Sequence, residues 1–138
     1  MNYREIKEYL KGYVEYLSVM YGKEFKLEWR KKYKELVIRG RNPDTTHYVG
    51  GFADNYLDLI ILNVADLSNN ICSAEIRGFY YIGVYQYAYD KLKENNFYLR
   101  QTPPFILNIE IRGEDRLREF LEILNDINYF SDGWGKKQ

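Results

Sequence analysis

Three arginines stand where an apolar run ends in glycine, and arginine is the side chain best suited to grip a planar anion through two parallel hydrogen bonds. Arg39 closes Glu35-Leu-Val-Ile-Arg-Gly40, Arg77 closes Ser73-Ala-Glu-Ile-Arg-Gly78, and Arg112 closes Phe105-Ile-Leu-Asn-Ile-Glu-Ile-Arg-Gly113. If the three ends met at one edge of a sheet, Arg39, Arg77 and Arg112 would form an anion site, with Tyr80 or Tyr81 stacking on a nucleotide-like ligand. The neighbouring glycines would let that ligand approach the backbone. The plainer account is a strand finishing in an exposed arginine and a turn, and antiparallel neighbours would send the ends to opposite edges.

A second constellation interleaves aromatic and basic residues. Trp29, Arg30, Lys31, Lys32, Tyr33 and Lys34 follow Phe25 and Lys26, and Arg41 lies just beyond. These are the ingredients of a single-stranded nucleic-acid groove, of a charged edge strand that resists aggregation, or of a surface for an acidic protein. Residues 40 to 55 collect Gly, Pro, Asn, Asp and Thr around His47 and Tyr48, and form the longest loop-like stretch. Asp44, His47 and Asp54 are conceivable metal ligands, and His47 with Cys72 a conceivable base and nucleophile, but neither set has a recognised spacing. Gly50-Gly51 lacks the Lys-Ser/Thr that a phosphate-binding loop requires. No metal, cofactor or catalytic residue is assigned on these grounds.

The elements that must position these residues follow from periodicity. Tyr3, Ile6, Tyr9, Leu10, Tyr13, Val14, Leu17 and Met20 fall on one helical face, with Asn2 and Glu5 spaced as a capping box and Gly22 as a stop. Phe25, Leu27 and Trp29 alternate with polar residues, and Leu36-Val-Ile returns, which makes a hairpin. Its connection, residues 30 to 34, has no Asn-Gly and calls for more than a two-residue turn. Tyr56 to Val64 is short and β-branched and reads as a central strand, with Ile71 to Arg77 as its partner. A helix is expected over about 79 to 94, followed by an extended Gln101-Thr-Pro-Pro segment and a strand over 105 to 111. Leu117, Phe120, Leu121, Leu124 and Ile127 make the cleanest helical stripe. The resulting expectation is an α+β fold: one domain over residues 1 to 130, its mainly antiparallel sheet of about five strands flanked by three helices in the order α-β-β-β-β-α-β-α. Residues 131 to 138 are expected to be a flexible tail in which Trp134 could dock.

The chain has 138 residues, enough to bury a real core in one domain. The single cysteine excludes an intrachain disulfide framework and favours a reducing compartment. The charged N-terminus lacks a signal-peptide core, and Asp58 and Asn63 interrupt the most apolar run, so neither export nor membrane insertion is expected and the cytoplasm is the default. Net charge is zero but segregated: residues 23 to 41 carry eight Lys or Arg against three Glu, and residues 42 to 76 carry five acids and no Lys or Arg. The fifteen tyrosines supply rigid contact area with a polar tip. Segregated charge, abundant tyrosine and no catalytic constellation point to a non-enzymatic protein-binding inhibitor or immunity-like protein, of the kind carried by phages or mobile elements and able to self-associate. The alternatives are a binding protein or enzyme for a small, nucleotide-like anion held by the arginines, and nucleic-acid binding through the hairpin.

Overall fold

The computed structural model describes residues 1–21, 24–41, 56–77, 82–103 and 105–127, with the side chains of 21, 41 and 82–84 set aside. The N-terminal helix, α1 (Tyr3–Tyr21), begins at the expected capping box. The Glu5 amide donates to Asn2 Oδ1 at 2.9 Å and the Asn2 amide to Glu5 Oε1 at 3.1 Å, which satisfies donors that the first turn would otherwise leave open. The hairpin follows as β1 (Phe25–Arg30) and β2 (Glu35–Arg41), then β3 (Tyr56–Asn63), a single 3-10 turn (Leu67–Asn69) and β4 (Ile71–Ile76). The remaining elements are α2 (Ile82–Glu94), β5 (Tyr98–Thr102), β6 (Ile106–Arg112) and α3 (Glu114–Ile127).

The fold is α+β, with three helices and one antiparallel sheet of six strands in the order β1-β2-β3-β4-β6-β5. The sheet is one strand wider than expected because Tyr98–Thr102, of which only Gln101 and Thr102 read as extended from the sequence, pairs along β6 from Tyr98↔Glu110 to Thr102↔Ile106. The segment sits at the edge, and of its two residues on the helix side, Leu99 and Gln101, only Leu99 is apolar and packs on the core, so its hydrophobic signal is one residue long. Helix α2 is described from Ile82 onward; residues 78–81, where its expected start falls, lie outside the described residues, as do Gly22, residues 42–55 and the tail.

Strand alternation places all three helices on one face. Leu36 and Ile38 of β2, Ile60 and Leu62 of β3, Cys72, Ala74 and Ile76 of β4, and Leu107, Ile109 and Ile111 of β6 share a single core with the buried stripes of the helices. Within that layer α1 packs on β1 and β2, α3 on β6, and α2 on β5 and α3. Two tyrosines close the α1 and α3 seam: Tyr9 Oη donates to the Leu121 carbonyl at 2.8 Å, and Tyr13 Oη to the Leu124 carbonyl at 3.1 Å. These hydroxyls take up part of the tyrosine excess as core residues with a satisfied polar tip. Gly40 is required by contact, since a Cβ there would come within 2.7 Å of Leu59 Cδ1 and 3.0 Å of the Phe25 ring.

Candidate partner-binding surface

The sheet face turned away from the helices carries the charged side chains of every strand. On β1 and β2 these are Lys26, Glu28 and Arg30, and Glu35, Val37 and Arg39; on β3 Asp58 and Ile61 join them. Arg30 lies opposite Glu35, yet its guanidinium reaches Asp58 two strands away, Nη1 to Oδ2 at 2.9 Å and Nη2 to Oδ1 at 2.8 Å. The side chain therefore crosses β2 above Val37, a residue of this face that is nonetheless 0% exposed. Arg39 Nε donates to Asp58 Oδ1 at 3.0 Å from the opposite side. Burial alone would raise the Asp58 pKa; hydrogen bonds and charge from Arg30, then Arg39, outweigh it and hold the carboxyl below its usual range. The Asp58 hydrogen bond, opposed by burial, in turn raises Arg30. Nearby, Lys26 Nζ lies 3.8 Å from the centroid of the Tyr56 ring, a cation–π contact that fixes the top of β1 to β3.

Asp58 is the residue that sequence reasoning missed: its only signal is a carboxylate interrupting an apolar, β-branched run, and register rather than sequence brings Arg30 and Arg39 to it.

Arg112 lies apart from the other two strand-closing arginines. Arg112 pairs in register with Ile71 at the start of β4, whereas Arg77 follows Ile76 at its end, so the two lie about 20 Å apart along the strand. Each is held by an acid beside it: Arg77 Nε lies 3.8 Å from Glu75, and Arg112 Nη2 lies 2.6 Å from Glu110. Arg39 belongs to the Asp58 cluster at the same end as Arg77. Antiparallel pairing of β6 with β4 is what sends Arg112 to the other end, whereas β2 and β4, both antiparallel to β3, close at the same one. Tyr80 and Tyr81 lie outside the described residues.

Beside the cluster, the same face dips into a groove of about 620 Å³ over β3, β4, β6 and β5. Register sets two rows across it, Asn63, Ser73, Glu110 and Tyr98, then Glu75, Asn108 and Arg100. With Asp66 at its rim, the lining holds three acids against Arg100, a balance unsuited to an anion. Asn108 Nδ2 donates to Thr102 Oγ1 at 2.8 Å, which ties the groove floor to the edge strand.

The hairpin tip is the most exposed part of the predicted set. Residues 31 to 34 form its turn, all exposed, and Lys34 takes a left-handed φ of 53° to bring the chain back into β2. The turn is anchored to β3: the Val64 amide donates to the Lys34 carbonyl at 2.9 Å, and Asn63 Nδ2 to the Tyr33 carbonyl at 3.2 Å. Trp29, on the helix side of β1, meets Tyr3 edge to face at 4.9 Å and stays 38% exposed. Arg30, turned to the other face, is committed to Asp58. Arg41 ends β2 with its side chain undescribed, and His47, Tyr48, Asp44 and Asp54 lie outside the described residues. Cys72 is 3% exposed within the core, and burial pushes its thiol up to about 11, the charge of the chain's N-terminus opposing only weakly. Such a thiol packs as a small hydrophobe. Among the described residues no group of three or more His, Cys, Asp or Glu is placed to hold a metal, and no helix is long and apolar enough to cross a membrane. Comparison with protein-family models, curated proteins and solved structures finds no match for this chain.

Proposed function

We propose that this chain is a non-enzymatic protein-binding protein of the inhibitor or immunity type, which occupies a partner with the helix-free sheet face and the β1–β2 hairpin. The observation that carries the reading is the state of the arginines: Arg112 lies at the opposite end of the sheet from Arg39 and Arg77, and each of the three already rests on a carboxylate. A ligand site built on arginine needs convergent guanidiniums free to exchange water for the anion. Dispersed and pre-paired charges instead make a broad, ordered surface, and such surfaces give register and association rate in protein–protein recognition. Tyr33, Tyr98 and Trp29 add half-exposed aromatic area around it, the type of contact enriched at interfaces. Binding occurs in the cytoplasm, and self-association through the same face is a further property of this reading.

The test is capture in the native host. A tagged full-length chain is cross-linked through its lysines and the products are identified by mass spectrometry. A single dominant protein joined through Lys26, Lys31, Lys32 or Lys34 is the expected result. A chain recovered without any protein partner, neither foreign nor a second copy, would overturn the proposal. A released nucleotide or other small anion would favour the ligand reading instead.

A further inference from the structure

Two clefts adjoin at Trp29. One, of about 230 Å³, lies between Tyr3, Trp29, Lys34, Val64 and Leu67; the other, of about 500 Å³, runs between α1 and β1 past Leu27 and Leu36. Both are floored by apolar side chains, and the first is sized for one large side chain. Lys34 lines the first and Lys7 and Lys11 the second, with Lys31 and Lys32 in the adjoining hairpin turn; Lys11 pairs with Glu8, whereas Lys7, Lys31, Lys32 and Lys34 make no ion pair among the described residues. That contrasts with the open face, where Arg30, Arg39, Arg77 and Arg112 are paired. Lys7 and Lys32 lie over tyrosine rings, at 5.9 and 5.3 Å from the centroids of Tyr3 and Tyr33. Glu15, at the far end of the longer cleft, is the one acid lining either. β1 is moreover an end strand of the sheet, with one side unpaired among the described residues, so backbone donors and acceptors run alongside the clefts.

Unpaired lysines around an apolar hollow select a segment that brings carboxylates and one buried anchor. Resting on the protein-binding reading above, we propose that this corner receives an acidic protein segment whose single large apolar side chain seats beside Trp29, while its Asp and Glu side chains pair with Lys7, Lys31, Lys32 and Lys34. Single-stranded nucleic acid fits less well. Its bases need flat faces to stack on, and Tyr3 meets Trp29 edge-on. Glu15 in the second cleft and Asp66, next to Leu67 of the first, would also repel a continuing phosphate chain.

The experiment is selection from a random-peptide display library against the intact chain, with survivors measured by fluorescence anisotropy. Survivors rich in Asp and Glu around one aromatic or aliphatic residue are expected. Their affinity should fall at least tenfold in a Lys31→Glu/Lys32→Glu/Lys34→Glu variant, whose changes lie in an exposed turn and leave the core alone. Replacing the anchor residue of the peptide by Ser should cost a similar factor, and Trp29→Ala should reproduce that loss. Survivors without acidic bias, survivors that bind the triple variant equally well, or no survivors at all would overturn the proposal. Tighter binding of an oligo-dT probe than of any peptide would assign the corner to nucleic acid and overturn it too. Host capture separates the two levels: a partner cross-linked solely through the open face sinks this inference and leaves the function standing, whereas no captured protein sinks the function itself.

Discussion

The Arg30, Asp58 and Arg39 cluster concentrates what single residues contribute here. Asp58 is largely shielded, its side chain 20% exposed, and it accepts three guanidinium hydrogen bonds, so its removal leaves two arginines facing each other over Val37. Asp58→Asn should cost about 2 kcal/mol in urea unfolding, between the values for exposed and buried pairs. Its pH signature has a definite sign. The folded carboxyl titrates below its unfolded value of about 4, so its contribution is fully present above pH 4 and is lost as pH falls through the folded value. The wild type should therefore lose stability below pH 4 more steeply than Asp58→Asn, and parallel acid slopes for the two proteins would contradict the assignment. Lys34 behaves oppositely. At φ of 53° a lysine is strained by about 1 kcal/mol, so Lys34→Gly should hold or raise stability while removing a tip charge.

At the scale of elements, the close passage of β1, β2 and β3 at Gly40 makes the sharpest test. A methyl there must displace Leu59 Cδ1 and press on the Phe25 ring, both in the core, so Gly40→Ala should cost about 1–3 kcal/mol. Leu59→Ala made alone opens a cavity, yet combined with Gly40→Ala it should cost less than the sum, a coupling that a double-mutant cycle reads directly. The α1 and α3 seam is softer: Tyr9→Phe should lose about 1 kcal/mol with its bond to the Leu121 carbonyl. These elements were legible in different degrees. α1, α3 and the hairpin follow from period and caps, because their apolar faces are long and continuous. β5 was not visible, since Leu99 alone of its five residues packs inward and backbone pairing to β6 leaves no trace in composition. The bulge at Ile38/Arg39, which lets both Leu59 and Ile60 be buried, is equally silent: a consecutive buried pair reads as a break in alternation until the register is known.

For the whole molecule, local signals set the layers, but the placement of Arg39, Arg77 and Arg112 depended on strand direction, which no Ile-Arg-Gly repeat encodes. The aromatic tip was legible as a set because its members are consecutive, whereas the groove is assembled from β3, β4, β5 and β6 by register alone. Cys72 gives a readout that joins these scales. It lies in β4, fourth in the strand order, under the helix layer and 3% exposed, with a thiol that ionises only near pH 11. A thiol reagent at pH 8 needs both access and thiolate, and unfolding of the sheet supplies both at once. Modification by excess DTNB should then be slower than in the urea-unfolded chain by the global unfolding constant, within the range of about 10³ to 10⁸. Asp58→Asn and Gly40→Ala, although distant from Cys72, should each accelerate it by the factor their urea stabilities dictate, about tenfold per 1.4 kcal/mol. Modification that ignored both substitutions would mean that β4 opens separately from β1 to β3, and the sheet would then be two cooperative units rather than one.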